Sequence, residues 1–494
     1  MNIMLNGLAY ELEAGIERST LPEWTQAQVT TGKRLRTDKA FLSVYAKEQW
    51  DGGLGILRQI PEMDEDRFWD SDAETRFSGQ ITPPLLAVQD TITPLANLSN
   101  PFVYGKHLYA VSNPMGSPCH LYRYNPATAV WGSQLLIQGA IAGTSTFVSP
   151  SGPVIYAGVQ SSLIGIRTAN RHIVMTPSDN TTWAVGTTGL VSAPVWGRAI
   201  SALNSLWGAM QYLNDVYVYQ DSSASQRVQP TGKQLGGLVV LPKEVTGTIN
   251  ILLSLTDGLF GDVRVSLTDA YLSGLDQSAE YSGRGAIEWN NTVYVPQEDG
   301  GILAWIPGKV VLLGPTAEDG VPDEINGPFT VSAISPLALL LGRSAVKSTQ
   351  KANIGAFDSV GYHTLWKDEV AQRIITEMAT SFLSGVDRLH FFLAATQSSL
   401  GATLAYHLPY YRRNPATTPS LSVASQGQFT DSQFFGYTPE TENTFLRLWI
   451  QGEGISSFNT ITALYGINGA TPNATLGIIN SVPTYLKFGD LGTK

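Results

Sequence analysis

Four carboxylates, Asp64, Asp66, Asp70 and Asp72, fall within nine residues of the stretch PEMDEDRFWDSDAETRF, Pro61 to Phe77. An oxygen-rich run of this kind is what a hard cation such as Ca²⁺ takes as ligands. The calcium loop of an EF-hand also needs a glycine at its sixth position and a glutamate at its twelfth, and neither is in register here. The competing reading is a solvated charged loop whose carboxylates offset Arg58, Arg67 and Arg76. The spacing favours that loop, so the four aspartates are metal candidates only and no metal is assigned.

The remaining chemistry-bearing residues are sparse. The six histidines, His107, His120, His172, His363, His390 and His407, form neither H-x-x-H nor H-E-x-x-H, which leaves a zinc site without its usual spacing. Cys119 and His120 are adjacent, and in a strand they point to opposite faces, an arrangement that cannot serve as a nucleophile and its base. The Asp box of sialidase propellers, Ser-x-Asp-x-Gly-x-Thr-Trp, has its nearest counterpart in TPSDNTTW, Thr176 to Trp183, which lacks the glycine and the spacing. There is no G-x-S-x-G elbow, no phosphate-binding P-loop and no dinucleotide fingerprint. The sequence therefore assigns no catalytic residue and no cofactor, and it reads as a protein that is not an enzyme.

A different kind of candidate sits just upstream of the acidic run. In AKEQWDGGLGILRQ, Ala46 to Gln59, Gly52, Gly53 and Gly55 permit a positive φ or a close backbone approach beside the bulky Trp50. Such a bend suits either an ordinary turn or the docking of an extended arm. Trp50, Gly52, Gly53, Arg58, Phe68 and Trp69 are the candidate assembly contacts.

The elements that would position these residues are β-strands. The chain has 494 residues, with 48 glycines, 27 prolines and a charged fraction of only 15%, a composition suited to many strands and turns. Its 31 basic against 41 acidic residues, net −10, argue against a nucleic-acid surface. No run of 18 apolar residues is present, so no membrane-inserting helix is expected. A single cysteine rules out an intrachain disulfide and fits folding in a cytoplasm, and the N-terminus lacks a signal-peptide pattern.

The stretch HLYRYNPATAVWG, His120 to Gly132, gives the local unit: a period-two strand, a break at Asn125-Pro126, and a second strand opening on Trp131. Similar units follow at Val154–Gly186, Leu206–Gly232, Ala286–Pro315, Phe329–Trp366 and Leu389–Leu421. Trp131, Trp183, Trp305 and Trp366 hold comparable places and read as packing residues. A period of about 40–50 residues is that of propeller blades, and it divides the central region into roughly seven; a sandwich-rich solenoid is the alternative that so degenerate a repeat leaves open. The expected fold is mainly β: an extended N-terminal arm (1–94), a β-propeller of about seven blades (95–425) and a small C-terminal β-sandwich (426–494) marked by alternation in FLRLWIQ and TITALYGI. Lys367–Phe382 fits a helix or a strand equally.

In its layout the sequence resembles the propeller-bearing tail proteins of long-tailed bacteriophages. The resemblance is carried by NGLAYEL at Asn6–Leu12, WDGGLG at Trp50–Gly55, the acidic-aromatic lead-in Asp66–Pro84 ending in TRFSGQITPP, and the closing LRLWIQGEGISSFNTITALYGING. These motifs specify an architecture and transfer no catalytic residue. The resemblance implies a virion tail component made in the host bacterial cytoplasm, with other tail proteins as partners, a homo-oligomeric arrangement in the tail, and a host-surface glycan or protein as a further partner. Two rivals remain. A propeller glycoside hydrolase needs two carboxyl groups ~5–9 Å apart in a central cleft. A free lectin-like carbohydrate-binding protein would be a monomer with repeated pockets.

Overall fold

The protein is mainly β, and its central part is a succession of seven antiparallel meanders. They span 98–136, 154–187, 196–230, 235–262, 287–313, 329–371 and 374–409. The fourth holds three strands and the seventh three of its own. The fold comes from a computed structural model, which describes residues 2–5, 8–11, 50, 52–55, 67–77, 80–112, 119–136, 139–141, 147–148, 154–168, 171–175, 184–187, 196–212, 215–221 and 226–230. It further describes 235–241, 250–255, 260–262, 283–297, 301–306, 309–313, 321–395, 404–418, 421–431, 447–450, 455–467, 470, 472–481 and 484–487. Among these residues the only helical element is the 3₁₀ turn Pro415–Thr417.

The seventh and first meanders are joined by one strand from upstream. Val88–Thr93 pairs antiparallel with Leu404–Pro409 on one edge and parallel with Val130–Leu136 on the other. The result is one eight-stranded sheet whose two end strands, Ile374–Leu383 and Leu98–Tyr104, lie side by side, so that it is nearly closed and barrel-like. Asp90 fastens the junction. Its Oδ1 accepts from His407 Nδ1 at 2.6 Å and its Oδ2 from Trp131 Nε1 at 3.1 Å, all three residues being buried.

Neighbouring meanders pack face to face. The first strand of each lies beside the first strand of the next, and that of the seventh beside that of the first. One hydrophobic cluster fills each contact. Val111, Cys119 and Leu121 meet Val154 and Ile164 between the first and second meanders. Leu98, Tyr122, Tyr124 and Trp131 meet Phe392 and Ala405 between the first and seventh. This explains why both parities of His120–Asn125 are buried: Leu121 and Tyr122 point to opposite faces, and each face has its own neighbouring sheet. Arg198, in the first strand of the third meander, pairs with Glu377, in the first strand of the seventh, at 2.5 Å. Those two meanders are not neighbours in the chain order, so their first strands face a common interior.

The ambiguous Lys367–Phe382 is two strands joined by a turn. Tyr362–Ala371 ends at a turn where Gln372 has φ 64°, and Ile374–Leu383 runs back. A bulge between Ile375 and Glu377 shifts the pleat, so that Ile375 and Met378, three apart, are both buried. That bulge produces the helix-like spacing in the sequence.

In the C-terminal region Arg447–Ile450 pairs with Thr484–Lys487, and Ile461–Tyr465 with Ala474–Ile479. The two pairs touch where Leu486 packs on Gly477. Near the start of the chain, Asn2–Leu5 and Leu8–Glu11 form a hairpin.

Candidate functional site: the seam between the lead-in and the sixth meander

Trp50, Gly53 and Phe68, separated in sequence, are brought together on the edge of the sixth meander. Gly53 N donates to Trp50 O at 3.0 Å, closing a turn, and Gly53–Leu54 then pairs parallel with Arg67–Phe68. The turn needs glycine twice over. Gly53 has φ +73°, and a Cβ there would press into the backbone of Gly361 and Tyr362. Close approach lets Leu54 and Phe68 sink into a cluster with Trp289, Tyr294, Phe329, Phe357 and Tyr362. Gly52 is buried in the same turn and Trp69 is half-buried.

A segment from the far side of the chain covers this patch. Phe429–Thr430 pairs antiparallel with Asp70–Ser71, and the Phe429 ring meets Trp50 edge-on (5.7 Å, 83°) and Phe68 at 5.0 Å. These contacts turn Trp50 and Phe68 toward the chain's own core. Arg58, Asp64 and Asp66 lie outside the described residues.

Polar groups of the lead-in are matched to the fourth strand of the sixth meander. Thr75 Oγ1 hydrogen-bonds His363 Nδ1 at 2.8 Å, and Thr364 Oγ1 donates to Ser71 O at 3.3 Å. The buried Glu74 takes a bidentate pair from Arg76 (2.9 and 2.6 Å), whose Nη2 also donates to Tyr411 O at 2.8 Å. Asp72 accepts from Lys367 Nζ and from the Gln428 backbone N–H. Lys367 continues to Glu324 at 3.4 Å and Glu324 to Lys351 at 2.5 Å, a chain of alternating charges. Burial works against the Lys367 ammonium, but its hydrogen bond to Asp72 and the two carboxylates outweigh this and hold its pKa above the usual value.

Asp70 is the exception. Burial first, and then the charges of Asp72 and Asp323, push its carboxyl up to about 7, and its Oδ1 is buried without a hydrogen-bond partner among the described residues. Two aspartates one residue apart thus differ. Asp72 is anchored by Lys367 and the Gln428 backbone, and Asp70 is a carboxyl that exchanges its proton near neutrality. Of the four metal candidates, Asp70 and Asp72 lie within the described residues. Among the described residues no group of three or more His, Cys, Asp or Glu side chains is arranged to hold a metal ion.

The partners that make this seam, Lys367, His363, Glu324 and Phe429, lie some 250 or more residues from the lead-in and carry no motif that could have announced them. The histidines are dispersed: His172, His363, His390 and His407 are buried, His120 is half-buried and His107 exposed.

No protein-family model matches the chain, and no curated protein does. Among solved structures, the chain is similar to the computationally designed Ika8 protein, with 10% identity, 66% of this chain and 99% of that chain covered, and a TM-score of 0.37.

Proposed function

We propose that the protein is a structural component of a bacteriophage virion tail, with the seven meanders as propeller blades and the C-terminal strand pairs as a small sandwich. In this reading the first strand of each meander lines a central channel that the Arg198–Glu377 pair bridges. Val88–Thr93 supplies the outer strand of the last blade and closes the ring. The cyclic order of first strands and the seven packed clusters support that arrangement.

The observation that carries the functional reading is the seating of the lead-in. The residues through which the sequence resembles phage tail proteins, Trp50–Gly55 and the stretch after Asp66, dock on the sixth meander through Gly53, Leu54, Phe68 and Asp72. An arm anchored in this way transmits load from residues upstream of it to the body, and the loops between strands are free to vary for host-surface or subunit contacts. Its partners are other tail proteins and further copies of itself.

Mass spectrometry and cryo-electron microscopy of intact particles from the source test this. The expected result is the chain at fixed stoichiometry in a tail, with residues upstream of Trp50 against neighbouring subunits. Recovery of the chain only as free protein in lysate would overturn it, and polysaccharide-cleavage and glycan-binding assays would then separate the hydrolase from the lectin.

A further inference from the structure

A row of polar side chains crosses the second meander on the face that packs against the third. Tyr156 and Arg167 are directly opposite each other on the strands Val154–Gln160 and Leu163–Thr168, and Arg167 is opposite His172 on Arg171–Met175. Residues in register share a face, so the three stand side by side. All three are 0% exposed. The third meander receives them with Tyr219, whose ring centroid lies 4.0 Å from the guanidinium carbon, and with Gly208, on which the Tyr156 ring rests where a Cβ would stand.

An arginine keeps its charge at any pH a protein survives, and five N–H donors lie in the plane of its guanidinium. The Tyr219 ring covers a face of that plane and satisfies none of the in-plane donors. Nε, Nη1 and Nη2 of Arg167 have no hydrogen-bond acceptor among the described residues, and neither Tyr156 Oη nor His172 Nδ1 has a partner there. Asp221 influences Tyr156 electrostatically, but its Oδ1 is taken by the Leu206 backbone N–H at 2.8 Å. His172 is held on its other side by Gln160 Oε1 at 2.9 Å. A buried cation with no ion pair and no acceptor among the described residues is strongly unfavourable, which argues that this row has a ligand.

We propose that Arg167 and Tyr156 form a binding site for a small oxyanion, a carboxylate or a phosphate group, in the seam between the second and third meanders. The guanidinium fork offers two parallel N–H donors, the geometry that carboxylate and phosphate oxygens match, and the tyrosine hydroxyl adds a third. Arg167 is one residue from the end of its strand, so the site lies toward the rim of the sheet. His172 at the end of the row stays neutral, since burial and then the Arg167 charge hold its pKa down to about 4, and it adds no competing cation.

The test is thermal melting of the full chain at constant ionic strength while inorganic phosphate, acetate or chloride replaces a bulky organic anion. Phosphate, acetate or both are expected to raise the melting temperature in a saturable way, and which one does so identifies the oxyanion. Arg167→Met should abolish the response. Should that variant not fold, Tyr156→Phe keeps the ring on Gly208, and losing one hydrogen bond to a charged ligand should weaken half-saturation by about tenfold or more. A wild-type melt indifferent to both oxyanions, a response equalled by chloride, or a response unchanged in either variant would each overturn the proposal.

Discussion

In the second meander Arg167 stands between Tyr156 and His172; in the sixth, Arg343 stands between Phe329 and Asn353, again on the second strand. Both arginines are fully buried and both lie over an aromatic ring, Tyr219 at 4.0 Å and Phe329 at 4.2 Å. Their hydrogen bonding separates them. Arg343 Nη1 donates to Asn326 Oδ1 at 2.9 Å, whereas the Arg167 nitrogens find no acceptor among the described residues. Asn326 comes from the segment leading into the sixth meander, and Asn353 Nδ2 donates to Ile325 O in that same segment at 2.8 Å. The comparison teaches that a repeated position can be built once as a closed structural pair and once as an open one.

The sharpest way to break this comparison is to remove each arginine. Arg343→Met leaves Asn326 Oδ1 without its donor and should cost about 1.5–3 kcal/mol, read from urea midpoints. In oxyanion-free buffer Arg167→Met should be neutral or stabilising by about 1–4 kcal/mol, because it removes an uncompensated buried charge. Equal losses at the two sites would erase the distinction. Of similar size, Asn326→Leu should destabilise by about 1.5–3 kcal/mol by depriving Arg343 of an acceptor, and equilibrium unfolding measures it.

Acidity sharpens the contrast further, since only the second meander places a histidine in the row. His172 has a folded pKa near 4, below its ordinary 6.5, because of burial and the Arg167 charge. The unfolded chain therefore takes up a proton first, and stability is lost as pH falls from about 6.5 toward 4 and then levels. Replacing His172 with Asn should flatten that limb of the stability profile by about 1–3 kcal/mol, measured as denaturation midpoint against pH. Asp70 behaves in the opposite sense. Its folded pKa of about 7 lies above its ordinary 3.8, so its contribution is most favourable in acid and is lost as pH rises from about 4 to 7. Asp70→Asn should then stabilise the protein at pH 7 by about 1 kcal/mol, the smallest of these effects, with little change at pH 4.

Much of the β architecture could be read from residues alone. The HLYRYNPATAVWG unit folds as a strand, a turn capped by Asn125 Oδ1 accepting from Ala127 N, and a second strand carrying the fully buried Trp131. Trp305 and Trp366 are buried as the repeat suggested. The second NPAT, Asn414–Thr417, is instead a 3₁₀ turn, since the strand before it has already ended at Pro409. What could not be read were pairings across long separations. Alternation says that Leu121 and Tyr122 face opposite ways, but not that a sheet waits on each side. The acidic run was visible as a cluster, yet only the fold shows that Lys367 anchors Asp72 while burial raises the pKa of Asp70. The Arg167 row was invisible because Tyr156, Arg167 and His172 each look like ordinary strand residues until register sets them side by side.

The strand Val88–Thr93 also sets a timetable for synthesis. Asp90 leaves the ribosome 317 residues before His407, its partner across the closure. At about 5–20 residues per second this is an interval of roughly 16–60 s. Its other partner, Val130–Leu136, emerges much sooner and can shelter one edge. The second edge stays open, a template for any other nascent chain, until Leu404–Pro409 arrives. Crowded polysomes are therefore where copies of this protein would exchange strands, and slowing translation downstream of Thr93 should raise the fraction of interlocked dimers.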